Sequence, residues 1–142
     1  MTSFTAVPYF IVHSYDHVRC VLTAARNGNS PVVFRNSTET LRALGPAWFA
    51  ALSAKAAEKF PDVQYRALFA CGDAPGFALA ALRLGLTFFE RPGGIPACEA
   101  AISAICKAGC VLMEPAEMLD LVSCDDPATS CRTRIDAAYH SR

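Results

Sequence analysis

The segment Ala81-Leu82-Arg83-Leu84-Gly85-Leu86-Thr87-Phe88-Phe89-Glu90 joins two periodicities at one glycine. On its upstream side Phe77, Ala80, Ala81 and Leu84 recur at helical spacing and predict one apolar face. On its downstream side Thr87-Phe88-Phe89 is a continuous run of the kind found in a strand buried on both faces. Glycine accepts the left-handed conformation that ends a helix, and a cation two residues earlier meets the negative end of the helix dipole. The same junction recurs at Arg26-Asn27-Gly28 and Lys107-Ala108-Gly109, so all three are read as helix caps opening onto a strand.

Working outward from these junctions, strands are predicted at Tyr9–His13, Pro31–Arg35, Val63–Phe69, Leu86–Glu90 and Cys110–Glu114. Between them lies a helix over Asp16–Asn27, with Val18, Val21, Leu22 and Ala25 on one face. A longer helix over Pro46–Lys59 follows, with Trp48, Leu52 and Ala56 inward and Pro61 as its stop. A further helix places Cys98, Ile102, Ile105 and Cys106 inward. After Pro115 the rhythm fades: a short helix is expected over Glu117–Val122 and a loop over Cys124–Ser130. Asp126-Pro127 signals a last helix toward His140 with a frayed end, so 116–142 reads as a helical and loop tail.

Strands alternating with helices predict an α/β fold of five mostly parallel strands, either a half-barrel of TIM type or an open flavodoxin-like sheet. A chain of 142 residues has room for a single domain, 1–142. Lys plus Arg and Asp plus Glu are 13 each, which disfavours nucleic-acid and anionic-membrane partners. No window reaches the roughly 18 apolar residues of a membrane span, and no basic leader precedes an apolar stretch at Met1–Tyr9. A cytoplasmic protein is expected. Seven cysteines, an odd number, argue against a disulfide framework. The 53% hydrophobic content suggests a buried subunit interface, hence a homodimer.

In parallel α/β folds ligands bind at the carboxyl ends of the strands. The residues that follow each strand are His13, Ser14, Asp16 and His17, then Arg35, Asn36, Ser37 and Thr38, then Cys71 and Asp73, then Glu90 and Arg91, then Glu114. From these, His13, Ser14, Arg35, Asn36, Ser37, Arg91, Gly93 and Gly94 form the candidate ligand set, with the Arg91–Pro96 loop offering backbone amides to an anion. Ser14 or Asp16 reads equally as the cap of the first helix, and Asp73 as the cap of the third ahead of Pro75. Cys71, before a helix start, is the candidate nucleophile or redox thiol with Asp73 beside it, against the alternative of a small buried hydrophobe. His13 and His17 stand at one-turn spacing, but with no C-x-x-C or H-E-x-x-H pattern no metal and no cofactor is expected.

Over about Val12–Glu90 the sequence resembles the first half of class II (metal-dependent) fructose-bisphosphate aldolases. The residues that carry the resemblance are Val18-Arg19-Cys20-Val21-Leu22-Thr23-Ala24-Ala25, Asn29-Ser30-Pro31-Val32-Val33-Phe34, Gly45 through Pro61, and Ala81-Leu82-Arg83-Leu84-Gly85-Leu86-Thr87. In that family the third strand ends in Leu-Asp-His-Gly, the Asp being the acid/base and the His a metal ligand. Here the matching stretch is Phe69-Ala70-Cys71-Gly72, and Ala70 transfers no proton. A full barrel takes about 250 residues, so only half fits. The resemblance therefore implies a fold relative without the aldolase mechanism. The leading expectation is a non-catalytic, aldolase-like domain that dimerises and binds a small anionic, phosphorylated metabolite at the strand carboxyl ends in a regulatory role. A cysteine-dependent enzyme using Cys71 and a structural partner subunit are the alternatives.

Overall fold

In a computed structural model the described residues are 7–140. The frayed end expected beyond them lies outside this range. The elements run β1 (Tyr9–Val12), α1 (Tyr15–Gly28), β2 (Val32–Asn36), α2 (Thr38–Leu44), α3 (Pro46–Lys59), β3 (Tyr65–Phe69), α4 (Pro75–Arg83), β4 (Phe88–Glu90), α5 (Ala97–Lys107), β5 (Val111–Met113), β6 (Leu119–Asp120) and α6 (Pro127–His140). The strands form one sheet in the order β5-β4-β3-β2-β1-β6, parallel at every pairing. The expected α/β fold of parallel strands alternating with helices is present, with one strand more. The order is sequential from β1 to β5, unlike the 2-1-3-4-5 order of flavodoxin-like sheets.

Sequential order decides where the helices go. Right-handed crossovers between neighbouring parallel strands, stepping always in one direction, lay every helix on the same face. The core agrees: Val18, Val21 and Leu22 of α1, Phe49 and Leu52 of α3, Ala81 of α4, Ile105 of α5 and Ile135 of α6 share one cluster with Phe10, Val12, Phe34, Phe69 and Phe89. Phe34, Phe49, Phe69 and Phe89 form a ladder of rings with successive centroids 6.0, 5.9 and 5.9 Å apart. Of the two expected arrangements, the flavodoxin-like one, with helices over both faces of the sheet, is corrected.

The helix-free face is nonetheless buried, because the sheet curls onto it. From Met113 to Leu119 the chain reaches at most about 22 Å. In a flat sheet β5 and β6 would lie five strand spacings apart, about 24 Å, before any return along the strand axis. The edges must therefore bend toward each other. Tyr9 of β1, Val33 of β2, Leu68 of β3 and Met113 of β5 form a second cluster with Phe88 and Met118, and Val33 and Leu68 are fully covered.

Local expectations hold with shifts. Gly85 (φ 86°) and Gly109 (φ 76°) take the left-handed conformation as predicted. At the end of α1 it is Asn29 that does so (φ 47°), donating its backbone N–H to the carbonyls of Ala25 and Arg26, while Gly28 is the last helical residue. Arg26 turns from the helix end to Asp62 at 2.6 Å and to the Lys59 carbonyl, an anchor between loops. In α3 Phe49 is buried deeper than Trp48; in α4 Ala78 takes the place expected of Leu84, which is 47% exposed. In α5 Ala101 is inward and Cys106 is exposed, a correction to its expected core role.

The largest departure follows Pro115. Leu119–Asp120 is no helix but β6, beside β1 with Ile11 opposite Asp120, followed by one 3-10 turn, Leu121–Ser123. The α6 helix starts at Pro127 as the Asp126-Pro127 signal predicts, with the Asp126 carboxylate accepting from Thr129 N at 3.3 Å, so that only the end of the expected loop, 127–130, is helical instead. It buries Cys131 and Ile135, and the Tyr139 hydroxyl donates to the Pro31 carbonyl at 2.7 Å.

Candidate functional site

His13 follows β1 and stands between two residues that sequence reasoning did not select. Its Nε2 lies 2.7 Å from Asp120 Oδ1 and its Nδ1 3.1 Å from Thr40 Oγ1. An ionised carboxylate only accepts hydrogen bonds, which assigns the proton of neutral His13 to Nε2. Nδ1 then presents a lone pair that accepts from the Thr40 hydroxyl. Carboxylate, imidazole and hydroxyl thus stand in line, the order in which a hydroxyl proton is drawn away by a base held in place by an acid. The imidazole is 18% exposed and Asp120 40%.

Neighbouring caps hold the group in place. Ser14 is the N-cap of α1 and accepts from His17 N, and Ser37 is the N-cap of α2 and accepts from Thr40 N. Asp120 also accepts from Val122 N at 3.1 Å, tying the carboxylate to the 3-10 turn. His17 Nδ1 accepts from His13 N at 3.0 Å, which requires that nitrogen to be unprotonated. Burial holds His17 below the ordinary imidazole pKa and favours that state, and a positive charge on His13, when it carries a second proton, acts in the same direction.

Other expected site residues go elsewhere. Asn36 is fully buried, and its amide clamps Ala70, accepting from the backbone N–H at 2.8 Å and donating to the carbonyl at 2.9 Å. Its second N–H donates to the Ser37 carbonyl at 3.3 Å, so the buried amide has no donor left for a ligand; the residue joins the end of β2 to the end of β3. Arg35 points to the helix-free side and meets both oxygens of Glu90 at 3.1 and 3.2 Å, with the two side chains 17% and 12% exposed. Arg91 pairs with Glu114 at 2.8 Å in the open.

Asp73 does not cap α4, whose N-cap position belongs to Ala74, and instead pairs with Arg42 at 2.9 Å on the surface. Cys71 is buried, and its thiol is pushed up to about 11, first by burial and then by the neighbouring Cys98 thiol. It is protonated at neutral pH, contrary to what a nucleophilic thiol needs. Gly93 donates its N–H to the Gly72 carbonyl at 3.4 Å, so the two loops touch, and Gly94 is exposed. Neither has a positive φ, and open space surrounds a Cβ built at either one.

The candidates therefore divide. His13, Ser14 and Ser37 converge with His17, Thr40 and Asp120 at the carboxyl ends of β1, β2 and β6. Arg35, Asn36, Cys71, Asp73 and Arg91 are each engaged by another partner. Among the described residues no group of three or more His, Cys, Asp and Glu side chains is placed to hold a metal ion, and no helix is long and apolar enough to cross a membrane. No protein-family model matches this chain, and no curated protein matches it.

Proposed function

We propose that the domain binds a small polar metabolite over the carboxyl ends of β1, β2 and β6 and exchanges a proton with it through Thr40 and His13. The observation that carries this reading is the Thr40–His13–Asp120 line, with contacts of 3.1 and 2.7 Å. Of the residues considered for an anion, Arg91 fits best, since its exposed pair with Glu114 is worth at most about 1 kcal/mol and gives way to a phosphate. Arg35 is a poorer candidate, because releasing it strands Glu90 inside the curled sheet. The aldolase-like reading belongs to the proposal in reduced form. What supports it is the sequential order of parallel strands with helices on one face, as in half of a TIM-type barrel, together with the sequence resemblance, by which Ala70 matches the position of that family's acid.

The test is isothermal titration calorimetry with sugar phosphates, free sugars and hydroxy acids, each in two buffers of different ionisation enthalpy. The expected result is binding whose enthalpy depends on the buffer in the wild type and no longer does so in His13→Gln. No binding across the panel, or a buffer dependence that survives His13→Gln, overturns the proposal.

A homodimer is the second reading, favoured by Val111, 41% exposed on the edge strand β5. Sedimentation velocity showing only monomer from micromolar to near-millimolar protein removes it.

A further inference from the structure

The backbone of His13, the base of the proton-exchange line, is not held by the sheet. The β1 ladder with β2 ends one residue earlier, at Val12 opposite Asn36. What holds it is His17: the His13 N–H donates to His17 Nδ1 at 3.0 Å, and the two rings meet edge to face with centroids 5.7 Å apart. The pattern is a variant of the capping box. Ser14, the N-cap of α1, accepts from the backbone N–H of His17 at 3.2 Å, and the side chain of His17 reaches back to the chain ahead of the helix. The usual residue in that place is Glu or Gln, which accepts without titrating near neutrality. Histidine is the side chain whose charge changes there.

A single lone pair on Nδ1 makes the bond, so the bond and a proton at that atom exclude each other. A proton taken from solvent at Nδ1 sets two N–H donors against each other at 3.0 Å, and the contact must open. His17 is only part-buried, so solvent reaches it. Among the described residues the charged and titratable groups that face it are His13 ahead of α1, Asp16 on α1 and Asp120 on β6. Burial and a charged His13 act against the proton, Asp120 and Asp16 act for it, and the net effect lowers the imidazole from its ordinary 6.5. The neutral ring therefore prevails at neutral pH. The imidazolium forms in more acid solution, within the field of Asp120, the carboxylate that His13 uses.

We propose that His17 is the positioning residue of this site and its acid switch. Neutral, it pins the His13 backbone so that the imidazole reaches Thr40 and Asp120; protonated, it releases His13 and the line opens. Its meaning for function rests on the proton-exchange reading, whereas the contacts stand without any ligand.

The test is nuclear magnetic resonance of the nitrogen-15-labelled full chain without ligand, following both imidazoles and the His13 backbone amide from about pH 8 to about pH 5. At neutral pH His17 is expected with a bare Nδ1 and His13 with its proton on Nε2. On acidification the His13 amide shifts at the midpoint of the His17 ring, below 6.5, and the Nε2 proton of His13 is lost to exchange with water at that same midpoint. In His17→Asn, whose side-chain oxygen reaches the place of Nδ1 and takes up no proton, the step at that midpoint disappears. In His17→Leu the amide is displaced at every pH, and the Nε2 proton exchanges about fivefold faster, the effect of one lost hydrogen bond. The proposal is overturned if the amide and the Nε2 proton follow only the His13 ring, if His17→Asn titrates as the wild type does, or if His17→Leu leaves both signals unchanged. Should His17→Leu fail to fold, the wild type and His17→Asn decide between these outcomes. Calorimetry that finds no metabolite binding overturns the proton-exchange reading instead and does not alter these resonances.

Discussion

Cys71 and Cys131 carry thiols raised from the ordinary 9.0 to about 11 and about 12, in both cases chiefly by burial. Above pH 9 the unfolded chain gives up these protons while the folded chain keeps them, so stability falls as pH rises. Their contribution is complete below pH 9 and is lost between 9 and about 12, by roughly 1 kcal/mol per pH unit for each group. Urea unfolding at pH 8 and pH 10 should show this decline, and a Cys71→Ala, Cys131→Ala double variant should flatten it. Tyr9 and Tyr65 are also raised by burial and add a decline of the same sign that the double variant retains. At this scale the sequence was only partly readable. That Cys71 follows a strand was evident; whether its sulfur faces solvent or the core depends on the helix packed over it, and no local pattern encodes that. Asn36 shows the same limit: a polar residue after a strand looks like a ligand until the partner loop that supplies Ala70 is in place.

The long elements were legible because their periodicity is strong. The α3 helix has the predicted ends, Pro46 and Lys59, and the strands agree to within one or two residues. The elements that escaped are short. The seven-residue α2 and two-residue β6 have too few positions to show a period, and β6 exists because the edge of β1 was open to it. Thr40 and Asp120 lie on these two, which is why two of the three residues of the proton-exchange line were not legible in the sequence. The α6 helix, read as part of a tail, is a structural member of the domain. Ile135 is 2% exposed, and Ile135→Ala should cost about 2–4 kcal/mol in urea unfolding, the range for truncating a buried aliphatic side chain. A loss below about 0.5 kcal/mol would mean that α6 does not hold the fold together.

The whole molecule is a curled parallel sheet with its helices outside, and the Arg35–Glu90 pair lies on the inner side, bridging β2 and β4. Breaking it by Glu90→Ala leaves a poorly solvated guanidinium and should cost about 2–3 kcal/mol, whereas Arg35→Met with Glu90→Leu should stay within about 1 kcal/mol of wild type. Chemical denaturation of the three proteins checks this; a single variant as stable as the double would place the pair in water. The sequence by itself determined the alternation of strands and helices, the parallel pairing it demands and the glycine junctions at Gly85 and Gly109, because each is set by neighbours along the chain. Only the tertiary structure decided that the sheet curls, that β6 extends it beyond β1, and that His13 meets Thr40 and Asp120. The His13 contacts span 27 and 107 residues, separations over which side-chain periodicity carries no information and only packing brings groups together.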